Sequence, residues 1–143
     1  MSSFVIHALP AGEVRTDAPT AILRAADSRS PCRRCLRDAT EGEPLVLAPY
    51  DPFTRRSPYA GEGPVFVHAD GCEPFDGERT EQVEGRTLSI RAYDADAMLA
   101  DAAVLPGERF EEAAKAFLDD SGVAFLHVHF AGPGCFAFRV DRA

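Results

Sequence analysis

Cys32-Arg-Arg-Cys35 and His68-Ala-Asp-Gly-Cys72 are the stretches of this chain whose residue types and spacing could do chemistry. A Cys-x2-Cys turn can place both sulfurs on one zinc ion, at about 2.3 Å each. Zinc needs two more ligands, and His68 and Cys72 are the nearest in sequence, giving Cys-x2-Cys…His-x3-Cys. Cys135 and His127 stand in reserve, so six candidates compete for four places and spacing leaves the ligand set open. Arg33, Arg34 and Arg37 flank the sulfurs and would stabilise thiolates, which favours metal binding and redox reactivity alike. Position 36 is Leu, where many zinc knuckles carry Gly to let backbone N–H groups reach the sulfurs. The pair therefore reads as a zinc site, as a redox-active Cys32/Cys35 couple, or as buried thiols without a ligand, free Cys being among the most buried residue types. A thioredoxin-like couple would want a strand before it and a helix after it, and the pattern around Cys32 and Cys35 offers neither.

Other side chains could line a pocket. His68 could serve as a ligand, a general base or a hydrogen-bonded residue at a strand end. His127 and His129 share one face of an expected strand, so two ring nitrogens could reach one substrate or metal. His7 reads as structural. The loop Tyr50-Asp-Pro-Phe-Thr-Arg-Arg-Ser-Pro-Tyr59 mixes guanidinium donors with aromatic faces, which suits a phosphate, a carboxylate or a stacked ring. With the cysteine-flanking pair, this makes Arg33, Arg34, Arg55 and Arg56 candidates for anion binding. In Arg91-Ala-Tyr93-Asp94-Ala-Asp96, Arg91 and Tyr93 share a face ahead of two carboxylates at a turn. They could line a pocket with Tyr59 and His127, or form an ion-paired hairpin. The nucleophile elbow Gly-x-Ser-x-Gly, the phosphate loop Gly-x4-Gly-Lys, Gly-x-Gly-x2-Gly and His-Glu-x2-His are all missing. The chain has no Trp and no Asn, and Lys115 is its sole lysine, which disfavours Schiff-base chemistry and an Asn-assisted oxyanion hole.

These residues must be positioned by the surrounding elements. Phe4–Leu9, Leu45–Ala48, Pro64–His68 and Thr87–Tyr93 read as strands, the last with Leu88, Ile90 and Ala92 on one face and Ser89, Arg91 and Tyr93 on the other. Thr20–Ala26 reads as a short helical stretch at best, with Pro19 in its first turn. Pro49–Gly63 and Asp70–Gly85 read as loops, the second exposed and acidic. Met98–Leu105 is the return strand of a hairpin or, being Ala-rich, a helix. Over Gly107–Asp120, Phe110, Ala113, Ala114, Phe117 and Leu118 recur at i, i+3, i+4, i+7 and i+8, the pattern of an amphipathic helix. Val123–Phe130 and Cys135–Val140 are the closing strands. The expected fold is α+β: one mainly antiparallel sheet of about six strands, one long helix in the C-terminal half, and a Cys-x2-Cys arm over residues 31–72.

Totals bound the rest. The 143 residues suggest a single domain over 1–143, large enough to bury roughly two-thirds of its surface without a metal or disulfide. The net charge of −8 is uneven: residues 61–143 carry sixteen acids against seven bases, while 31–60 carry five Arg against four acids. A duplex-binding surface needs a basic excess, so nucleic acid is an unfavourable partner. No apolar run approaches the roughly 18 residues of a membrane span, and the amino end lacks the basic region of a secretory signal. These features point to the cytoplasm, where four cysteines stay reduced and favour metal or thiol chemistry over disulfides.

From Pro31-Cys-Arg-Arg-Cys-Leu-Arg-Asp onward the chain resembles the bacterial domain-of-unknown-function family 1203. The likeness runs through Gly42-Glu-Pro-Leu-Val-Leu and Tyr50-Asp-Pro-Phe, then Ser57-Pro-Tyr-Ala-Gly-Glu-Gly-Pro-Val-Phe-Val-His68 with Cys72. It resumes at Leu88-Ser-Ile-Arg-Ala-Tyr-Asp-Ala-Asp96, at Leu126-His-Val-His and at Gly134-Cys-Phe. The resemblance implies a small cytosolic bacterial protein and implies no activity. Three functions remain open. The first is a zinc-stabilised module, with Cys32, Cys35, His68 and Cys72 as ligands, that binds a small anion or a protein. The second is a metal- or His-dependent enzyme with a pocket around Tyr59, His68, Arg91, Asp94 and His127. The third is a thiol redox protein. Homo-oligomerisation is left open.

Overall fold

The computed structural model describes residues 3–77 and 79–143. In chain order the strands are β1 (Phe4–His7), β2 (Ile22–Ala25), β3 (Ser30–Pro31), β4 (Asp38–Ala39), β5 (Pro44–Tyr50), β6 (Gly63–His68), β7 (Thr87–Tyr93), β8 (Leu99–Pro106), β9 (Phe125–Phe130) and β10 (Phe136–Arg142). One α-helix, α1 (Phe110–Asp119), precedes β9. The strands form three sheets rather than the single sheet of about six expected: β1-β10-β9-β7-β8, β2-β5-β6, and the small pair β3-β4. All strand pairings are antiparallel, apart from one parallel bridge between Cys32 and Phe66.

The large sheet uses its two faces differently, because side chains alternate along each strand. Leu88, Ile90, Ala92, Leu126, Val128, Phe138 and Val140 pack with Phe110, Ala114 and Leu118 of α1 in the main core. The opposite face carries Arg91, Tyr93, His127 and His129, with Arg91 directly across from His127. A bulge between Phe136 and Phe138 lets both rings be buried on different sides. Phe138 joins the main core, while Phe136 joins a second cluster with Cys32, Cys35, Tyr50, Val65 and Val67. That second cluster is where the β2-β5-β6 sheet meets the large one.

Three local expectations are corrected. Residues 22–25 form a strand, not a helical turn, pairing Ile22 with Leu47 and Ala25 with Pro44. Here the demand for partners on the open edge of β5 overrides a weak local helical preference. The helix is short: α1 spans ten residues, and its first turn, Gly107–Arg109, is a 3-10 turn. Gly107 donates to the Arg86 carbonyl at 2.7 Å, and a Cβ there would sit 1.6 Å from the Val83 carbonyl oxygen, so tertiary contact sets that turn. The 70–85 segment is not uniformly exposed, since Thr80, Gln82 and Val83 are buried around the 3-10 turn Glu81–Val83. Residues 99–106 are the return strand of the hairpin, the first of the two alternatives.

Candidate metal centre and adjoining cleft

β3 delivers Cys32 to the junction, and the chain turns at once. Leu36 donates its N–H to the Cys32 carbonyl at 3.1 Å with φ at 54°, a left-handed conformation. That is where a knuckle ordinarily carries Gly, and a Cβ there costs about 1–2 kcal/mol. Burying the Leu36 side chain in the main core offsets this cost. The second half of the quartet comes from the end of β6. His68 is its last residue, Gly71 takes φ 85°, and the Gly71 N–H returns to the His68 carbonyl, bringing Cys72 back toward Cys32. Arg33 donates its backbone N–H to the Phe66 carbonyl at 2.9 Å, clamping the turn against β6.

The ligand atoms of Cys32, Cys35, His68 and Cys72 all lie within 4.8 Å of one another. Cys32 and Cys72 sulfurs are 3.8 Å apart, and the Cys35 sulfur is 3.8 Å from Nδ1 of His68. Sulfurs about 2.3 Å from a central zinc span tetrahedral edges of about 3.8 Å. Nε2 of His68 faces Oε1 of Glu43 at 3.4 Å, and that same oxygen accepts the Thr40 N–H at 2.6 Å. A carboxylate behind a ligating imidazole fixes its tautomer and raises its basicity. Hydrogen bonding from the Cys35 thiol brings the Cys32 pKa down to about 4, helped by backbone N–H groups of Cys35, Arg34 and His68 and opposed by burial. Cys35, the donor, is pushed up by that same bond and by burial. Burial and the neighbouring Cys32 sulfur raise Cys72. A divalent ion would displace the remaining protons.

A family model described as "Protein of unknown function (DUF1203)" matches residues 29–142. The chain belongs to this family. The matched span of the DUF1203 chain includes all four clustered ligand residues and every other candidate site residue of the sequence. No curated protein and no solved structure matches the chain.

In this DUF1203 fold the reserve ligands lie away from the quartet. The Cys135 sulfur accepts from Nη2 of Arg33 at 2.9 Å. His127 is fully buried, with its ring 4.7 Å from that of Phe53 and 5.2 Å from that of Phe136. Neither of its nitrogens meets a hydrogen-bond partner among the described residues. Burial, with the charges of Arg139 and Arg91 and the nearby His129, depresses its pKa to about 3.

The anion candidates disperse. Arg33 is 1% exposed and spends its guanidinium on the carbonyls of Phe136 and Pro31 and on Cys135, so it ties the cysteine turn to β10 rather than facing solvent. Arg34 pairs with Glu13 and Arg55 donates to the Ala95 carbonyl, while Arg56 is exposed on the same loop. Of the pocket candidates, Tyr59, Arg91 and Tyr93 do converge, lining a cleft of about 780 Å³ between the large sheet and the β2-β5-β6 sheet. Asp94 instead accepts the N–H groups of Asp96 and Met98 at the hairpin turn, and His127 lies beneath Phe53. Sequence reasoning missed Glu43 and took Phe53 only as part of the aromatic 50–59 loop. Glu43 is 25 residues from His68 in sequence, and only the pairing of Leu45 with His68 brings it alongside.

Proposed function

We propose that this protein is a zinc-stabilised binding module in which Cys32, Cys35, Cys72 and Nδ1 of His68 hold one zinc ion. One observation carries the proposal: four donor atoms from two separate chain segments gathered within 4.8 Å, with two of the edges at 3.8 Å. Four protein ligands leave no position for a substrate or water, which is the pattern of a structural rather than a catalytic zinc. The ion would staple the cysteine turn to the end of β6, the seam along which the two larger sheets meet. The module's ligand is a small anion, and the cleft beside the seam is its site. We place the protein in the cytoplasm, where cysteines stay reduced and free to hold a metal. Metal analysis of protein purified without tag or chelator tests the reading. About one zinc per chain in the parent and almost none in Cys35→Ser is the expected result. Absence of metal in the parent would leave the Cys32 thiolate and its Cys35 donor as a redox couple, the competing reading.

A further inference from the structure

Arg91 lines the cleft, and its guanidinium meets only neutral side chains among the described residues. Its Nε donates to Oγ of Ser89 at 3.3 Å, and its Nη1 lies 3.4 Å from Nε2 of His129. His129 is held as the acceptor in that contact, because Nδ1 donates to the Gly134 carbonyl at 3.0 Å. Its pKa falls to about 4, chiefly through burial, so the imidazole is neutral at pH 7 and adds no charge beside Arg91. No carboxylate among the described residues pairs with Arg91.

The other guanidiniums at the cleft have their donors engaged, although Arg29 and Arg86 share one carboxylate and Arg33 meets none, so the cleft as a whole is electropositive. Arg86 and Arg29 both reach Asp38, at 3.0 and 3.1 Å. Both also donate to backbone carbonyls: Arg86 to those of Gln82 and Arg29, and Arg29 to that of Glu84. Arg33 is consumed by Phe136, Pro31 and Cys135. Glu62, at the rim, is held in a two-pronged pair by Arg15, with contacts of 2.6 to 3.0 Å. The remaining wall is apolar and aromatic. Tyr59 is 45% exposed with its ring centroid 5.7 Å from that of Tyr93, and Phe53, Phe66 and Phe136 are among the other lining residues.

We infer that the cleft binds a small organic carboxylate with a flat aromatic body, its carboxylate on Arg91 and its ring between Tyr59 and the inner wall. This deepens, and rests on, the reading of the protein as a binding module for a small anion. One half-buried guanidinium suits a single negative charge. A phosphate dianion would want more free donors than the cleft offers, with the neighbouring arginines already paired. The cleft volume falls in the usual range for small-molecule sites, which are mostly apolar with a few placed polar groups. Ser89 and the neutral His129 orient the guanidinium without neutralising it, leaving its charge for the ligand.

Titration of the full, as-purified chain with phenylacetate, 2-naphthoate, benzyl alcohol and inorganic phosphate, followed by amide NMR shifts, tests this. The expected result is saturable binding of one aryl carboxylate per chain, at least tenfold tighter than benzyl alcohol, with shifts centred on residues 91–93 and 129–136. Arg91→Gln should abolish the advantage of phenylacetate over benzyl alcohol, and Arg91→Lys should restore part of it. Equal binding of the acid and the alcohol by the parent overturns the proposal without any variant. So does phosphate binding more tightly than both carboxylates, or a failure of every aryl carboxylate to bind. The zinc content of each sample is read separately. Carboxylate binding by a metal-free chain would overturn the metal reading alone, and one zinc per chain with no carboxylate binding would overturn this inference alone.

Discussion

Glu43 makes the imidazole of His68 directional. Its oxygen is held by the Thr40 N–H and faces Nε2, leaving Nδ1 toward the sulfurs. Outer carboxylates of this kind typically contribute about 10–100-fold to metal affinity. Glu43→Gln should therefore weaken zinc retention in a competition titration by about tenfold while leaving the fold intact, and an unchanged affinity would remove Glu43 from the site. His127 poses a different question, because a buried imidazole whose two nitrogens have no partner among the described residues is costly. Its folded pKa, about 3, lies below the ordinary value of 6.5, so the unfolded chain takes up the proton first. Stability is then intact above about pH 6.5 and declines as pH falls toward 3. Against His127→Phe, which has no proton to bind, the parent should lose about 2 kcal/mol more between pH 7 and pH 4.5. Denaturant unfolding at the two pH values measures this difference, and acid effects shared by both proteins cancel. At pH 7 the Phe variant should be at least as stable as the parent, since it buries no unpaired polar atom.

The elements divide by how local their causes are. Thr87–Tyr93 is legible in the sequence because alternation and burial agree, with Leu88, Ile90 and Ala92 fully buried. The amphipathic spacing of Phe110, Ala114 and Leu118 marks α1 for the same reason. Residues 22–25 are not legible, since all four are exposed and no apolar period signals a strand. They extend because β5 has an edge to fill. The start of α1 is also set from outside, by the close approach of Gly107 to Val83 and Arg86. Gly107→Ala should cost more than about 2 kcal/mol in denaturant unfolding, a typical price of forcing atoms into a packed contact. Mutating Gly132, which has no atom within 4 Å of its added Cβ, is the control. Equal losses in the two variants would contradict the packing explanation.

At the scale of the molecule, the chain is two larger sheets meeting along a seam, with a third small hairpin feeding the cysteine turn into it. Phe136 crosses the seam by virtue of a bulge, Arg33 hydrogen-bonds across it, and the ligand quartet sits at its end. The quartet is legible from Cys-x2-Cys and His-x3-Cys because both halves are local turns of fixed reach. Strand pairing brings His68 and Cys72, rather than Cys135 and His127, to the cysteine turn, and spacing does not encode that pairing. The cleft was only partly legible: Arg91 and Tyr93 share a strand face, but Tyr59 reaches them through a loop whose path depends on both sheets. Asp94, three residues from Arg91, turns instead to its own hairpin. Zinc-edge X-ray absorption on the as-purified chain tests the central claim most directly. Three sulfurs at about 2.3 Å and one nitrogen at about 2.0 Å, with no oxygen ligand, is the expected first coordination shell. A shell with two sulfurs and an oxygen, or protein that carries no zinc, would contradict a closed Cys32, Cys35, His68, Cys72 site.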